Sequence, residues 1–387
     1  MAQSNHHARQ SKDVSISLNG GLLAVGSKML ITGKTDICSR TLDELTESIG
    51  GFGEPPYRAR QVADWLYKKR VGSFDEMTDL PRPLRARLTA EFSFQPLETV
   101  RTIGSKDTTQ KFLFRLDDGN LIESVLIPAS PALYGRRSDR RTLCISTQVG
   151  CAYGCKFCAS GLEGWTRNLR SSEIVAQVIA IERESGEKID NIVFMGMGEP
   201  LANFDNLMPA IRIITAPWGI GIGARHITVS TSGLAPQIRK LAEEPLQIRL
   251  AISLHAATDS VRSQIMPINH RYPIEILLSA CEYYTSRKKQ RLTFEYILIE
   301  NLNDTEEQAR ELAKHANRLA AKVNLIPYNK VEGLSWIRPS RNRQEKFLSI
   351  LREARVAATL RREKGHDIDA ACGQLRLQTR RTQLAAK

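Results

Sequence analysis

Three cysteines fall within eight residues, Cys151, Cys155 and Cys158 in the run CAYGCKFC. A four-iron four-sulfur cluster normally takes four thiolates, so three would leave one iron open to a non-protein ligand. An open iron points to chemistry at the cluster rather than to electron storage. The competing reading is a zinc site of three cysteines and a histidine. No histidine lies between His7 and His226, however, and short zinc motifs usually set their cysteines in pairs.

The surrounding residues sharpen this. CxxxCxxC with an aromatic, Phe157, before its last cysteine resembles the radical S-adenosylmethionine (SAM) superfamily. Downstream stand MGMGEPLAN (Met195 to Asn203), STSG (Ser230 to Gly233), AISLHA (Ala251 to Ala256), NLIPYN (Asn324 to Asn329) and DIDAACGQL (Asp367 to Leu375). In that order they resemble the ribosomal and transfer RNA adenine C2-methyltransferase family, from about Thr41 to Arg376.

The resemblance implies one [4Fe-4S] cluster on Cys151, Cys155 and Cys158, with SAM on the open iron. It further implies one SAM as methyl donor and a second as radical source in each turnover. Gly198, Glu199, Ser230, Ser253, Leu254, His255 and Asn329 match the family's cofactor contacts. Cys372 matches a cysteine that carries the methyl group, Glu123 a proton acceptor and Cys144 a thiol that resolves the protein–RNA adduct by transient disulfide formation. Cys38 and Cys281 match no role. The implied product is 2-methyladenosine in large-subunit ribosomal RNA at the peptidyl transferase centre and in transfer RNA 3′ to the anticodon. An electron donor such as flavodoxin or ferredoxin and a monomeric enzyme are expected.

Carbon 2 of adenine is electron-poor and does not attack an electrophilic methyl group as an oxygen, nitrogen or sulfur nucleophile would, which is why a radical route and a carrier are needed. Cys372 would attack as a thiolate, helped by nearby positive charge such as Arg376. Each residue also has a plainer reading. MGMGEP is an ordinary strand-to-helix turn if its glycines do not admit a cofactor's backbone approach. His255 alone would be a rim histidine, Cys144 a core residue by alternation, and Glu123 an inward charge guarding a sheet edge. In its functional reading Glu123 is a carboxyl group raised by desolvation. Three rivals remain: the related adenine C8-methyltransferase branch, a non-catalytic cluster-containing RNA-binding protein, and a radical activating enzyme acting on a protein. The length of the helical N-terminal segment favours C2, and Cys144, Cys372 and Glu123 together favour an enzyme.

The elements that must position these residues read as follows. Residues 1–40 form an extension. Residues 41–98 form a helical RNA-binding unit, in which Tyr57, Arg58, Arg60, Lys68, Lys69 and Arg70 make a basic face beside Trp65 and Tyr67, with Trp65 favoured as core. Residues 99–135 form a hairpin linker region, QKFLFRL and NLIESVLIP around Asp118-Gly119, which carries Glu123. Over 136–365 strands and helices alternate, beginning with a strand TLCISTQV and including a helix APQIRKLAE and a strand KVNLIP, which predicts an α/β partial barrel of about six strands with the motifs at their carboxyl ends. Asp304 and Glu307 are spaced as a capping box before one of its helices. Residues 366–387 hold the Cys372 loop and a basic tail.

The 387 residues carry a net charge of +13. That charge is concentrated in GRRSDRR, RREK and LRLQTRR, which favours a polyanionic partner such as RNA. No run approaches the roughly 18 apolar residues of a membrane span, and GLLAVGSKMLI is broken by Lys28. A cytoplasmic setting with its seven cysteines reduced is expected.

Overall fold

From Arg141 onward the alternating pattern builds a parallel sheet. The computed structural model describes residues 34–105, 108–128, 140–162, 164–331 and 333–361, together with Leu375 and Thr379. The amino-terminal segment pairs β1 (Thr35–Asp36) with β2 (Phe92–Ser93) around helices α1 (Leu42–Gly51), α2 (Tyr57–Ala63) and α3 (Arg82–Glu91). Thr41 and Glu44 cap α1 reciprocally, satisfying donors that a helix start leaves without partners. Next come β3 (Glu98–Gly104), β4 (Gln110–Arg115), β5 (Leu121–Pro128) and β6 (Arg141–Cys144). Then follow the short β7 (Gln148–Gly150) and β8 (Trp165–Asn168), and β9 (Asn191–Phe194), β10 (Ile227–Thr231), β11 (Arg249–Ser253), β12 (Thr293–Leu298), β13 (Lys322–Pro327) and β14 (Ala358–Leu360).

Ten of these strands form one sheet in the order β14-β13-β12-β11-β10-β9-β6-β5-β4-β3. β6 and β9 to β14 run parallel, while β5, β4 and β3 are antiparallel. The fold is thus the expected α/β partial barrel, with β14 added beyond the six strands read from sequence. Along β13, alternation turns Val323 and Leu325 toward the helical layer and leaves Ile326 to line the interior cavity. The helix Ala235–Glu243 opens with Pro236 in its first turn and buries Ala235, Ile238, Leu241 and Ala242 at helical spacing.

Several sequence expectations change. TLCISTQV is two strands, because after Cys144 the chain leaves the sheet and β7 pairs antiparallel with β8. The hairpin is not a separate linker: β5 pairs with β6, so it extends the main sheet, and β3 adds a third antiparallel strand. Thr305, not Asp304, caps the helix Glu306–Arg318, accepting from Gln308 N, while Asp304 pairs with Arg343 at 2.8 Å.

The basic face also shrinks. Tyr67 is buried against Trp218, with ring centroids 5.9 Å apart, so it is core rather than a stacking surface. Lys68 pairs with Asp64 at 2.6 Å, Lys69 with Asp79 at 3.5 Å, and Arg70 with Glu182. Trp65, expected in the core from its helical spacing, is only partly buried, packed against the core beneath Lys69. Tyr57 and Arg60 stay exposed.

Candidate active site

The loops at the carboxyl ends of the parallel strands enclose a cavity of about 360 Å³. Cys151, Cys155 and Cys158 line one wall, from a loop held between β7 and the helix Ala159–Leu162. Two hydrogen bonds pin that loop: Cys151 N donates to Gly164 O at 2.8 Å, and Lys156 N donates to Ile265 O at 2.9 Å. Burial pushes the Cys151 thiol up to about 12 and the Cys155 thiol well above its usual value, and charge on neighbouring cysteines adds to both shifts. Such thiols are poor bare anions, but a bound cationic metal deprotonates them outright. The donor set therefore fits an iron–sulfur cluster.

Gly196, Gly198, Glu199, Ser230, Ser253, His255 and Asn329 line the same cavity. Leu254 does not: its side chain lies in the core, and its backbone carbonyl accepts from Arg262 Nε at 3.0 Å. The glycines of MGMGEP are required by the protein itself. A Cβ at Gly196 would stand 2.6 Å from the carbonyl of Ile145; Gly198 has φ +99°, and a Cβ there would meet Gln148 at 2.5 Å. Glu199 is buried, with Oε1 accepting from Leu201 N at 3.0 Å and Oε2 from Ser232 N and Oγ at 2.7 and 2.8 Å. Burial raises its carboxyl group, and the Ser232 donors oppose that rise.

His255 sits at φ +57°, an uncommon backbone position for a non-glycine residue and one that functional sites tend to hold. Its Nδ1 accepts from Ile297 N at 3.0 Å, so in the neutral ring Nε2 carries the proton. The ring meets Phe157 of the cysteine loop edge to face, centroids 4.7 Å apart. Burial, and then the charge of Arg262, depress its imidazole to about 3, so it is neutral at physiological pH.

Two positioning devices escaped the sequence reading. Arg262, fully buried, donates to Leu254 O at 3.0 Å, Ser232 O at 2.6 Å and Asn269 Oδ1 at 2.9 Å, and thereby joins the loops after β10 and β11. Gln177 accepts from Ser124 Oγ at 2.8 Å and Ser146 N at 2.9 Å, bracing β5 against the chain just past β6. The Gln177 bonds and the Arg262 bond to Ser232 span 30 residues or more, separations that no local motif marks. Glu295, also unforeseen, lines the cavity with its Oε2 accepting from Asn324 Nδ2 at 2.7 Å.

Cys144 lines the cavity opposite Val125 in the β5–β6 register, so it belongs to the site wall as well as to the packed sheet. Glu123 lies in the interior of the sheet, between β4 and β6, which removes the edge-guarding reading. It is not a lone acid either, because Lys111 Nζ lies 3.0 Å from its Oε2. Cys38 and Cys281 are buried in the core. Cys372 and most of the basic tail lie outside the described residues, as do most of the other arginine-rich runs. Leu375 is described, and it is buried with Leu113 and Leu121 on the sheet face that carries Glu123.

A cysteine loop feeding an open parallel barrel, with carboxyl-end loops around one cavity, defines a radical SAM enzyme. Residues 145–313 match the model of the radical SAM superfamily, and residues 35–93 match that of the ribosomal RNA large subunit methyltransferase N-terminal domain. The chain is 53% identical to the probable dual-specificity RNA methyltransferase RlmN of Akkermansia muciniphila, over 88% of this chain and 95% of that protein. It is likewise 53% identical to the probable dual-specificity RNA methyltransferase RlmN 3 of Opitutus terrae, over 89% and 95% respectively. The crystal structure of a radical SAM methyltransferase from Sphaerobacter thermophilus superposes with a TM-score of 0.82 at 46% identity, covering 88% of this chain and 98% of that one. The chain belongs to the RlmN family of dual-specificity RNA methyltransferases, and it is a SAM-dependent RNA methyltransferase.

Proposed function

We propose that this enzyme converts adenosine to 2-methyladenosine in large-subunit ribosomal RNA, at the peptidyl transferase centre, and in transfer RNA 3′ to the anticodon. The observation that carries this reading is a single cavity lined by the cysteine triplet, the cofactor loops and Cys144, in a chain whose relatives are named as dual-specificity RNA methyltransferases. Cys151, Cys155 and Cys158 hold one [4Fe-4S] cluster, and Glu199, Ser230, Ser253, His255 and Asn329 hold SAM. When bound, these groups supply a low-potential electron, the methyl group and a hydrogen-abstracting radical.

Cys372 carries the one-carbon unit to adenine. Leu375, which ends the same sequence motif, is buried against Leu113 and Leu121. Glu123 accepts the proton that leaves carbon 2, and Cys144 pairs with the Cys372 sulfur to free the RNA. The neutral His255 keeps an Nε2–H available as a donor without adding charge to the site. A reduced flavodoxin or ferredoxin in the cytoplasm fits the need for an electron; among the described residues no helix is long and apolar enough to cross a membrane.

Nucleoside mass spectrometry of ribosomal and transfer RNA from cells with and without the gene tests the substrate assignment: 2-methyladenosine should disappear from both. Its persistence, or loss of 8-methyladenosine instead, would overturn it. Cys144→Ala should trap RNA on the protein as a nuclease-sensitive band on a denaturing gel, attached at Cys372.

A further inference from the structure

Lys111 and Glu123 form an ion pair of 3.0 Å whose side chains are 0% and 1% exposed. Strand register accounts for the contact. Leu113 stands opposite Glu123 and Lys111 opposite Val125, so the lysine lies diagonally across from the glutamate on one face of the β4–β5 pair. Toward one end that face continues to Val125, whose partner is Cys144, and both line the cavity. Toward the other end, Leu113 and Leu121 hold Leu375, three residues past Cys372.

A pair this deeply buried gives up the solvation of both ions, and apolar residues of similar volume often serve stability as well or better. Stability alone is therefore a weak reason for two charges here. We propose that Lys111 is the positioning residue of the proton-accepting site, orienting the Glu123 carboxylate and setting a positive charge beside the atom that takes the proton. This rests on the reading of Glu123 as the acceptor. When Glu123 takes the proton from carbon 2, the electrons of the broken C–H bond stay with the ring. The ammonium of Lys111 is unchanged, and the pair passes from net zero to net positive. Arginine at this position keeps the charge, whereas methionine keeps only the stem.

The test uses the full-length, anaerobically reconstituted enzyme and a ribosomal RNA fragment containing the target adenosine. Wild type, Lys111→Met, Lys111→Arg and Glu123→Gln are followed for deoxyadenosine formation, covalent RNA–protein adduct and released 2-methyladenosine. Lys111→Met should still form deoxyadenosine but accumulate adduct, as Glu123→Gln should, with product release down by about 100-fold, the scale of a lost general base. Lys111→Arg should recover most of that loss. A purely packing role would lower every readout together and would not be rescued by charge.

Release at the wild-type rate from Lys111→Met, with adduct trapped by Glu123→Gln, overturns the lysine's role and leaves the acceptor standing. Wild-type release from Glu123→Gln overturns the acceptor and this inference with it. Should Lys111→Met fail to hold its cluster, Lys111→Arg decides: adduct accumulation there overturns the charge role, and normal release supports it.

Discussion

Acid should weaken this fold through His255 in a way that one substitution isolates. The native imidazole is depressed to about 3, chiefly by burial, against about 6.5 in an unfolded chain. Between those values the unfolded chain binds a proton that the native site refuses. The stabilisation is therefore complete above about pH 6.5 and is lost progressively as pH falls toward 3. The shift, taken at about 1.4 kcal/mol per pH unit, caps the effect near 5 kcal/mol, and about 2 kcal/mol of it is lost by pH 5. His255→Gln keeps an acceptor for the Ile297 N–H and does not titrate. Urea unfolding of both proteins from pH 7 to pH 5 should show the wild type losing about 2 kcal/mol more than the variant. Parallel stability curves would refute the reasoning, as would a native imidazole that titrates near its usual value by NMR.

Two further outcomes follow from the site's supports. Arg262→Met strips the donors from the Leu254 and Ser232 carbonyls and the Asn269 amide; at about 1 kcal/mol for each buried acceptor left unpaired, urea unfolding should report a loss near 3 kcal/mol, and a change under about 0.5 kcal/mol would contradict the clamp. Cys155→Ser should abolish cluster absorbance and bound iron after anaerobic reconstitution while leaving the far-ultraviolet circular dichroism of the protein intact, and full iron retention would remove Cys155 from the ligand set.

Spacing alone made the cysteine triplet legible, because three ligands of one cluster sit on one short loop and need no distant partner to be recognised. Periodicity likewise marked the helix Ala235–Glu243 and the strand Lys322–Pro327, whose boundaries match the apolar runs in the sequence. The order of motifs placed Glu199, Ser230, Ser253, His255 and Asn329 at strand ends, since a parallel barrel delivers successive carboxyl ends to one rim.

Tertiary structure decided what each marked face would meet. Alternation put Glu123 in an apolar row, but only the β4–β5 register set Lys111 across from it. Tyr67 looked like part of a basic surface until Trp218, some 150 residues away in sequence, covered it. The break in TLCISTQV had no local breaker such as proline or glycine before Gly150; it follows from β7 finding β8 rather than the main sheet. Arg262 could be read as a solvated helix residue, and only the convergence of two loops on its guanidinium makes it interior. A residue's period determines the side of the element on which it lies. What waits on that side depends on contacts between segments far apart in the chain, and that is information no local window contains.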